Sequence, residues 1–350
     1  MTARRAVVDL ASPRAVWRIP PARVGEIGAA LGKQWELIEV RTPASSDGDG
    51  ASGSGSPEAI AATKGAEIYI GYGIAPGVAA AAKGTLRWVH SGAAGVGSSI
   101  AQLRGTGVQL TNSAGVHAEP IADWVIATIA YFARGLDRMA AAQREGRWAK
   151  EEFADHADSV RELRDVRVGI LGLGGIGNAV ARRALALGMA VSGVRRHPER
   201  GGPPGGRGGG VRWVGGLADL PRLAAESDCL VIAAPHTSET AGAVDRAVLE
   251  RLPRGALVIN VSRGSLLDET ALAALLDSRH LAGAALDVFA TEPLPAGHAF
   301  WTHPRVLMSP HVSAVTSRFW DRETTLIVDN IKRYLAGTPL TNLVDLEAGY

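Results

Sequence analysis

"VGILGLGGIG", residues 168–177, decides the fold. A short apolar run rich in β-branched residues leads into Gly172, Gly174 and Gly177, spaced as GxGxxG. The following "NAVARRALALGMAVSGV", residues 178–194, reads as a helix and then a second strand. In that strand–turn–helix setting the first glycine permits the tight turn. The second lets backbone approach a pyrophosphate, and the third lets helix pack on strand. Amides at the helix start then face the phosphate charge. A chain with 43 glycines produces the spacing by chance, so the flanking strand and helix give it its weight.

A carboxylate gripping the adenine-side ribose is expected at the end of the second strand. Eighteen residues past Gly177 the chain instead places Arg195, followed by Arg196 and His197. A carboxylate accepts hydrogen bonds from ribose hydroxyls and repels a 2′-phosphate; a guanidinium does the reverse and binds phosphate in a fork. The pair predicts NADP in preference to NAD. The plain alternative is two solvated residues at a loop start.

Around this unit the chain has room for two domains: 350 residues, 46% of them hydrophobic. A net charge of +2 and scattered basic residues argue against nucleic acid as a partner. The single cysteine, Cys229, forms no internal disulfide, which suits a reducing cytoplasm. "MTARRAVVDLASPR" lacks the apolar segment of a signal peptide. "WVIATIAYFA" is about half the length a membrane span needs. A cytoplasmic protein without a membrane segment or bound metal is expected.

Strand-like and helix-like runs alternate throughout, which predicts an α/β protein with mostly parallel sheets. The strands read as "RAVVDL", "WELIEV", "AEIYIG", "LRWVHS" and "VQLTN", then, from Val166, "VRVGILG", "AVSGV", "CLVIAA", "ALVINVS", "GAALDVF" and "RVLMSPH". One long helix is expected over roughly Glu119 to Gly146. A last helix is expected over Thr316 to Gly337, returning to the first domain. The stretches 45–58 and 199–210 read as glycine-rich surface loops.

Three segments carry charge where a strand ends, the ligand-binding edge of open α/β sheets. They are "NVSRGSLLDE" with Arg263, "ALDVFATEPLP" with Asp287 and Glu292, and "VLMSPHVSAVT" with His311. Together an arginine, a carboxylate and a histidine can hold a substrate carboxylate, polarise the neighbouring carbonyl and move a proton. Singly, each has a structural alternative: a helix-start surface residue, a loop charge, a strand-end hydrogen-bonder.

With "TNSAGVHAEPIADWV", "VGILGLGGIG", "APHTSETAGAV", "INVSRGSLLDETAL", "GAALDVFATEPLP" and "SPHVSAVT", the chain resembles the D-isomer-specific 2-hydroxyacid dehydrogenase family from about Thr111 to His311. The resemblance implies two Rossmann-like, doubly wound parallel-sheet domains with an interdomain cleft. Residues 1–113 and 312–350 would form the substrate domain, and 114–311 the dinucleotide-binding domain. Arg263, Glu292 and His311 would take the catalytic places. Gly175 and Ile176 would lie at the pyrophosphate, Pro235 and Val261 along the cofactor, and Asp287 near the nicotinamide carboxamide. In "HSGAAGVGSS", residues 90–99, Ala94 and Gly95 would offer amides to the substrate carboxylate, beside Arg263. A homodimer and a small 2-oxo or 2-hydroxy acid as substrate follow from the same likeness, with NADPH reducing the keto carbon and His311 supplying the proton.

The chain departs from the family pattern in places. Gly97-Ser98-Ser99 stands where many relatives carry an aspartate, and "SAVTSRFW" lacks a glycine often found after the histidine, near Trp320. Formate dehydrogenases would carry glutamine in place of Glu292; phosphite dehydrogenases and dinucleotide-sensing corepressors share the core motifs. Turnover of a 2-oxo acid separates an enzyme from the corepressor class.

Overall fold

A computed structural model describes residues 4–43, 54–155, 160–204 and 210–347. Residues 45–53 and 205–209 of the two glycine-rich loops lie outside the described residues. The chain divides into two compact units, residues 1–117 with 315–350, and residues 118–314. The boundaries read from the sequence were 113/114 and 311/312.

The first unit carries five parallel strands: β1 (Arg4–Asp9), β2 (Trp35–Glu39), β3 (Ile68–Gly71), β4 (Trp88–Ser91) and β5 (Gln109–Asn112). Their order is β2-β1-β3-β4-β5. β3 and β4 are buried along their whole length, because helices cover both faces and no solvent side remains for polar residues. β2 lies at the edge, and its "WELIE" keeps two glutamates there.

The second unit holds seven parallel strands: β6 (Arg167–Leu171), β7 (Ala190–Val194), β8 (Val214–Gly215), β9 (Cys229–Ile232), β10 (Ala256–Asn260), β11 (Leu281–Leu286) and β12 (Val306–Met308). Their order, β12-β11-β10-β9-β6-β7-β8, reverses direction of growth at β6. The crevice at that reversal, outside the carboxyl ends of β6 and β9, is where such sheets bind ligands. The glycine turn leaves β6 at that end.

Helix Gly175–Ala186 buries Ala179, Val180, Ala181 and Ala184 in a core shared with Val168, Ile170 and Val191. Helix Ala118–Ala133 adds Ile121, Val125 and Ile129 to the same core. Arg183 clamps the two helices by bonding Glu119 and Asp123.

Two sequence expectations need correction here. The helix expected over Glu119–Gly146 is two helices, Ala118–Ala133 and Leu136–Arg144. Gly135 between them adopts a φ of +65°, left-handed backbone that an α-helix cannot continue through. The last helix runs over Phe319–Ala336, starting three residues later than expected. It buries Phe319, Trp320, Ile327 and Ile331 against Ala6, Val8, Ile68, Ile70 and Trp88 of the first unit. Gly337, at φ +68°, ends it.

Candidate active site

Gly172 takes a φ of +100°, and a Cβ there would lie 2.5 Å from the Ala234 backbone. The turn is pressed against the chain leaving β9. A Cβ on Gly177 would sit 2.0 Å from the Gly172 carbonyl oxygen, so only glycine lets the helix rise directly from the strand. Gly174 differs, since nothing lies within 4 Å of the place its Cβ would take. Gly174 caps helix Gly175–Ala186 without a side-chain bond, so Gly175 and Ile176 stand at an uncapped helix start. Uncapped amides at a helix start are groups able to bind an anion such as a pyrophosphate.

β7 delivers Arg195 and Arg196 at its carboxyl end, beside β6. Arg195 is half-buried and Arg196 exposed. Arg195 Nη1 donates to the Gly201 carbonyl at 2.8 Å, so one arm of this guanidinium braces the following loop. His197 Nδ1 lies 3.3 Å from Glu199 Oε1. Pro235 opens the exposed segment after β9, and its carbonyl accepts from Thr240 Oγ1 at 2.7 Å. Val261, beyond β10, is buried.

Arg263, Glu292 and His311 leave the carboxyl ends of three neighbouring strands, β10, β11 and β12. The first loop is shaped by buried Asn260, whose Nδ2 donates to the Arg263 carbonyl at 3.0 Å and whose Oδ1 accepts from Ser262 N at 3.1 Å. Arg263 is exposed, and its Nη1 donates to the Ser262 carbonyl at 2.7 Å. The next residue, Gly264, lies against Phe289 and Ala290: a Cβ there would come within 1.9 Å of the Phe289 backbone. That contact holds the Arg263 loop against the loop carrying Glu292.

His311 Nδ1 lies 2.8 Å from Glu292 Oε2. The other oxygen, Oε1, accepts from Phe289 N at 2.9 Å, so the loop itself orients the carboxylate. An ionised carboxylate can only accept, which makes Nδ1 the donor and leaves Nε2 as the atom able to exchange a proton with substrate.

His311 sits at a φ of +54°, a strained place for a residue with a side chain. Asp287 holds it there. The Asp287 carbonyl accepts from His311 N at 2.8 Å. Its carboxylate accepts from Ser309 Oγ at 2.6 Å, Val312 N at 2.8 Å and Ser313 N at 3.1 Å, and from Ser313 Oγ as well. These bonds tie the carboxylate of a buried group to the His311 loop. Asp287→Asn would turn a donor toward these N–H groups, at about 1–3 kcal/mol of stability. Urea unfolding should show that loss, and kcat should fall more than the NADPH dissociation constant changes.

In the first unit a loop follows β4. Among the described residues neither the Ala94 nor the Gly95 amide has a protein acceptor. Ser113 N donates to the Ala93 carbonyl at 3.2 Å, and Asn112 Nδ2 to the Ala94 carbonyl at 2.8 Å. Sequence reasoning missed Asn260, Ser309 and Ser313. Only the polar residue closing the apolar run "ALVIN" gave any signal for them. Among the described residues no cluster of three His, Cys, Asp or Glu side chains could hold a metal, and no helix is long and apolar enough to cross a membrane.

Comparison with known proteins bears on this arrangement. Residues 126–313 match the family described as D-isomer specific 2-hydroxyacid dehydrogenase, NAD binding domain. A curated relative, glyoxylate/hydroxypyruvate reductase A of Yersinia enterocolitica, is 32% identical over 75% of each chain. A D-isomer specific 2-hydroxyacid dehydrogenase from Xanthobacter autotrophicus Py2, solved in complex with NADPH and MES, is 31% identical. It superposes with a TM-score of 0.76 over 99% of this chain and 100% of that one. The NADPH-dependent glyoxylate/hydroxypyruvate reductase from Sinorhizobium meliloti, solved with NADP and sulfate, is 28% identical, with a TM-score of 0.74 over 99% and 100%. From its glycine turn to the His311–Glu292 pair, this chain belongs to the D-isomer-specific 2-hydroxyacid dehydrogenase family.

Proposed function

We propose that the protein reduces a small 2-oxo acid to the D-2-hydroxy acid with NADPH. The observation that carries this reading is the 2.8 Å bond between His311 Nδ1 and Glu292, at the edge of the sheet that also bears the glycine turn and Arg263. A dinucleotide bound at that turn supplies the hydride for the keto carbon. His311 Nε2 gives its proton to the forming alkoxide, and Glu292 stabilises the imidazolium through Nδ1. Arg263 takes the substrate carboxylate and the developing charge on oxygen. The amides of Ala94 and Gly95 can receive a substrate carboxylate.

Arg195 and Arg196 bind the 2′-phosphate, with Arg195 already braced by Gly201. The named reductases among the relatives, and NADPH or NADP in solved ones, support this choice. Pro235 and Val261 line the dinucleotide. The exposed apolar side chains of Leu136, Met139 and Trp148 suit a homodimer, the state expected from the resemblance. Following NADPH and NADH consumption with glyoxylate, hydroxypyruvate and pyruvate tests the reading. Turnover with NADPH supports it, and bound NADPH without turnover opposes it.

A further inference from the structure

Glu323, on the last helix of the first unit, is fully buried, and so is His90, at the end of β4. Glu323 Oε1 lies 3.0 Å from His90 Nε2 and 2.9 Å from Ser113 Oγ, while Oε2 has no partner among the described residues. A buried carboxylate with an unmet oxygen is costly, and packing a helix on a sheet does not require one. Its partners explain its place. His90 is the last residue but one of β4, from which the Ala94–Gly95 loop departs. His90 is held from its other side by Thr111, 2.9 Å from Nδ1. Ser113 follows β5 immediately. Its hydroxyl lies 2.8 Å from the Ser91 carbonyl and shares its hydrogen between that oxygen and Glu323. One carboxylate therefore ties together the two strand ends that flank the loop.

The backbone carries this tie to the amides. Ser113 N holds the Ala93 carbonyl and Asn112 Nδ2 holds the Ala94 carbonyl. In a trans peptide the N–H points opposite to the C=O. Each carbonyl pinned toward residues 112–113 turns the next amide, Ala94 N–H or Gly95 N–H, the other way. Consecutive amides are thus aimed outward by bonds made behind them. A displaced Ser113 would rotate the first of these peptides.

We propose that Glu323 is a positioning residue for the anion-receiving amides of Ala94 and Gly95, acting through Ser113. The inference rests on the functional reading above, which gives those amides the substrate carboxylate. Glu323→Ala removes the acceptor that Ser113 and His90 share; Ser113→Ala removes the link and leaves its backbone bond. Both variants should raise KM for the 2-oxo acid about tenfold or more, because misplaced contacts weaken substrate binding steeply. Neither should alter the NADPH dissociation constant, and kcat at saturation should be largely kept. The double variant should be little worse than either single one, since both cut one chain of contacts.

Oxamate titration of the NADPH complex, read by the Ala94 and Gly95 amide resonances, follows the loop without turnover. Wild type should shift those amides, and the variants should need more oxamate. Folded variants with unchanged KM and unchanged oxamate response would overturn the positioning role while leaving the reductase reading intact. A wild type that reduces no 2-oxo acid, yet whose amides respond to oxamate through Glu323, would overturn the reductase reading alone. Silent amides in wild type would overturn the positioning role.

Discussion

His311→Gln is expected to lower kcat by about 10²- to 10⁴-fold, the usual contribution of a positioned proton donor. Glutamine can still bond Glu292 and keep its loop in place, so the dinucleotide should bind as in wild type. What it lacks is a proton to give at the position of Nε2. Glu292→Gln should fall between wild type and His311→Gln, because an amide orients the imidazole without stabilising its charge. Stopped-flow mixing of the enzyme–NADPH complex with the 2-oxo acid separates chemistry from product release and reads both variants directly. A His311→Gln enzyme retaining most of its kcat would remove the histidine from the chemistry. The clamp around Asp287 would then be holding a strained residue for some other purpose.

The Arg195→Asp, Arg196→Ala double variant is expected to lose its preference for NADPH and gain the use of NADH. Each charged hydrogen bond to the 2′-phosphate contributes about 1.5–3 kcal/mol, so KM for NADPH should rise by about one to two decades for each bond lost. An aspartate at position 195 adds repulsion toward the phosphate and acceptance toward a ribose hydroxyl. The bond from Arg195 to Gly201 complicates the single change, because removing it also frees the following loop. Arg196→Ala alone keeps that brace and gives a second comparison. Stability should change little, since Arg196 is exposed. If the double variant discriminates between the two cofactors as wild type does, the arginines are loop residues.

The parts of the fold legible in the sequence were those whose signal is local. The glycine turn could be read because strand, turn and helix follow one another within about twenty residues, the span of half a mononucleotide-binding motif. β9 and β10 announced themselves as unbroken apolar runs, the pattern of strands covered on both faces. β8 did not, since two residues paired with β7 carry no periodicity. Gly135 fell inside the one helix expected over Glu119–Gly146, although its backbone turns left-handed.

The site divides the same way. Arg263, Glu292 and His311 stood at recognisable strand ends. The bonds that position them join segments far apart in sequence, and no spacing rule reports those. Asp287 reaches 22 to 26 residues forward to the His311 loop, and Glu323 reaches back 233 residues to His90. The donors that Asp287 accepts were not legible, because they depend on how a later loop folds over it.

The most direct test is initial-rate consumption of NADPH and of NADH by the purified protein with glyoxylate, hydroxypyruvate and pyruvate, beside His311→Gln. Reduction of at least one of these acids is expected, faster with NADPH than with NADH, and abolished by the substitution. NADPH that binds at the glycine turn but is oxidised with none of the acids, or at the same rate without His311, would contradict it.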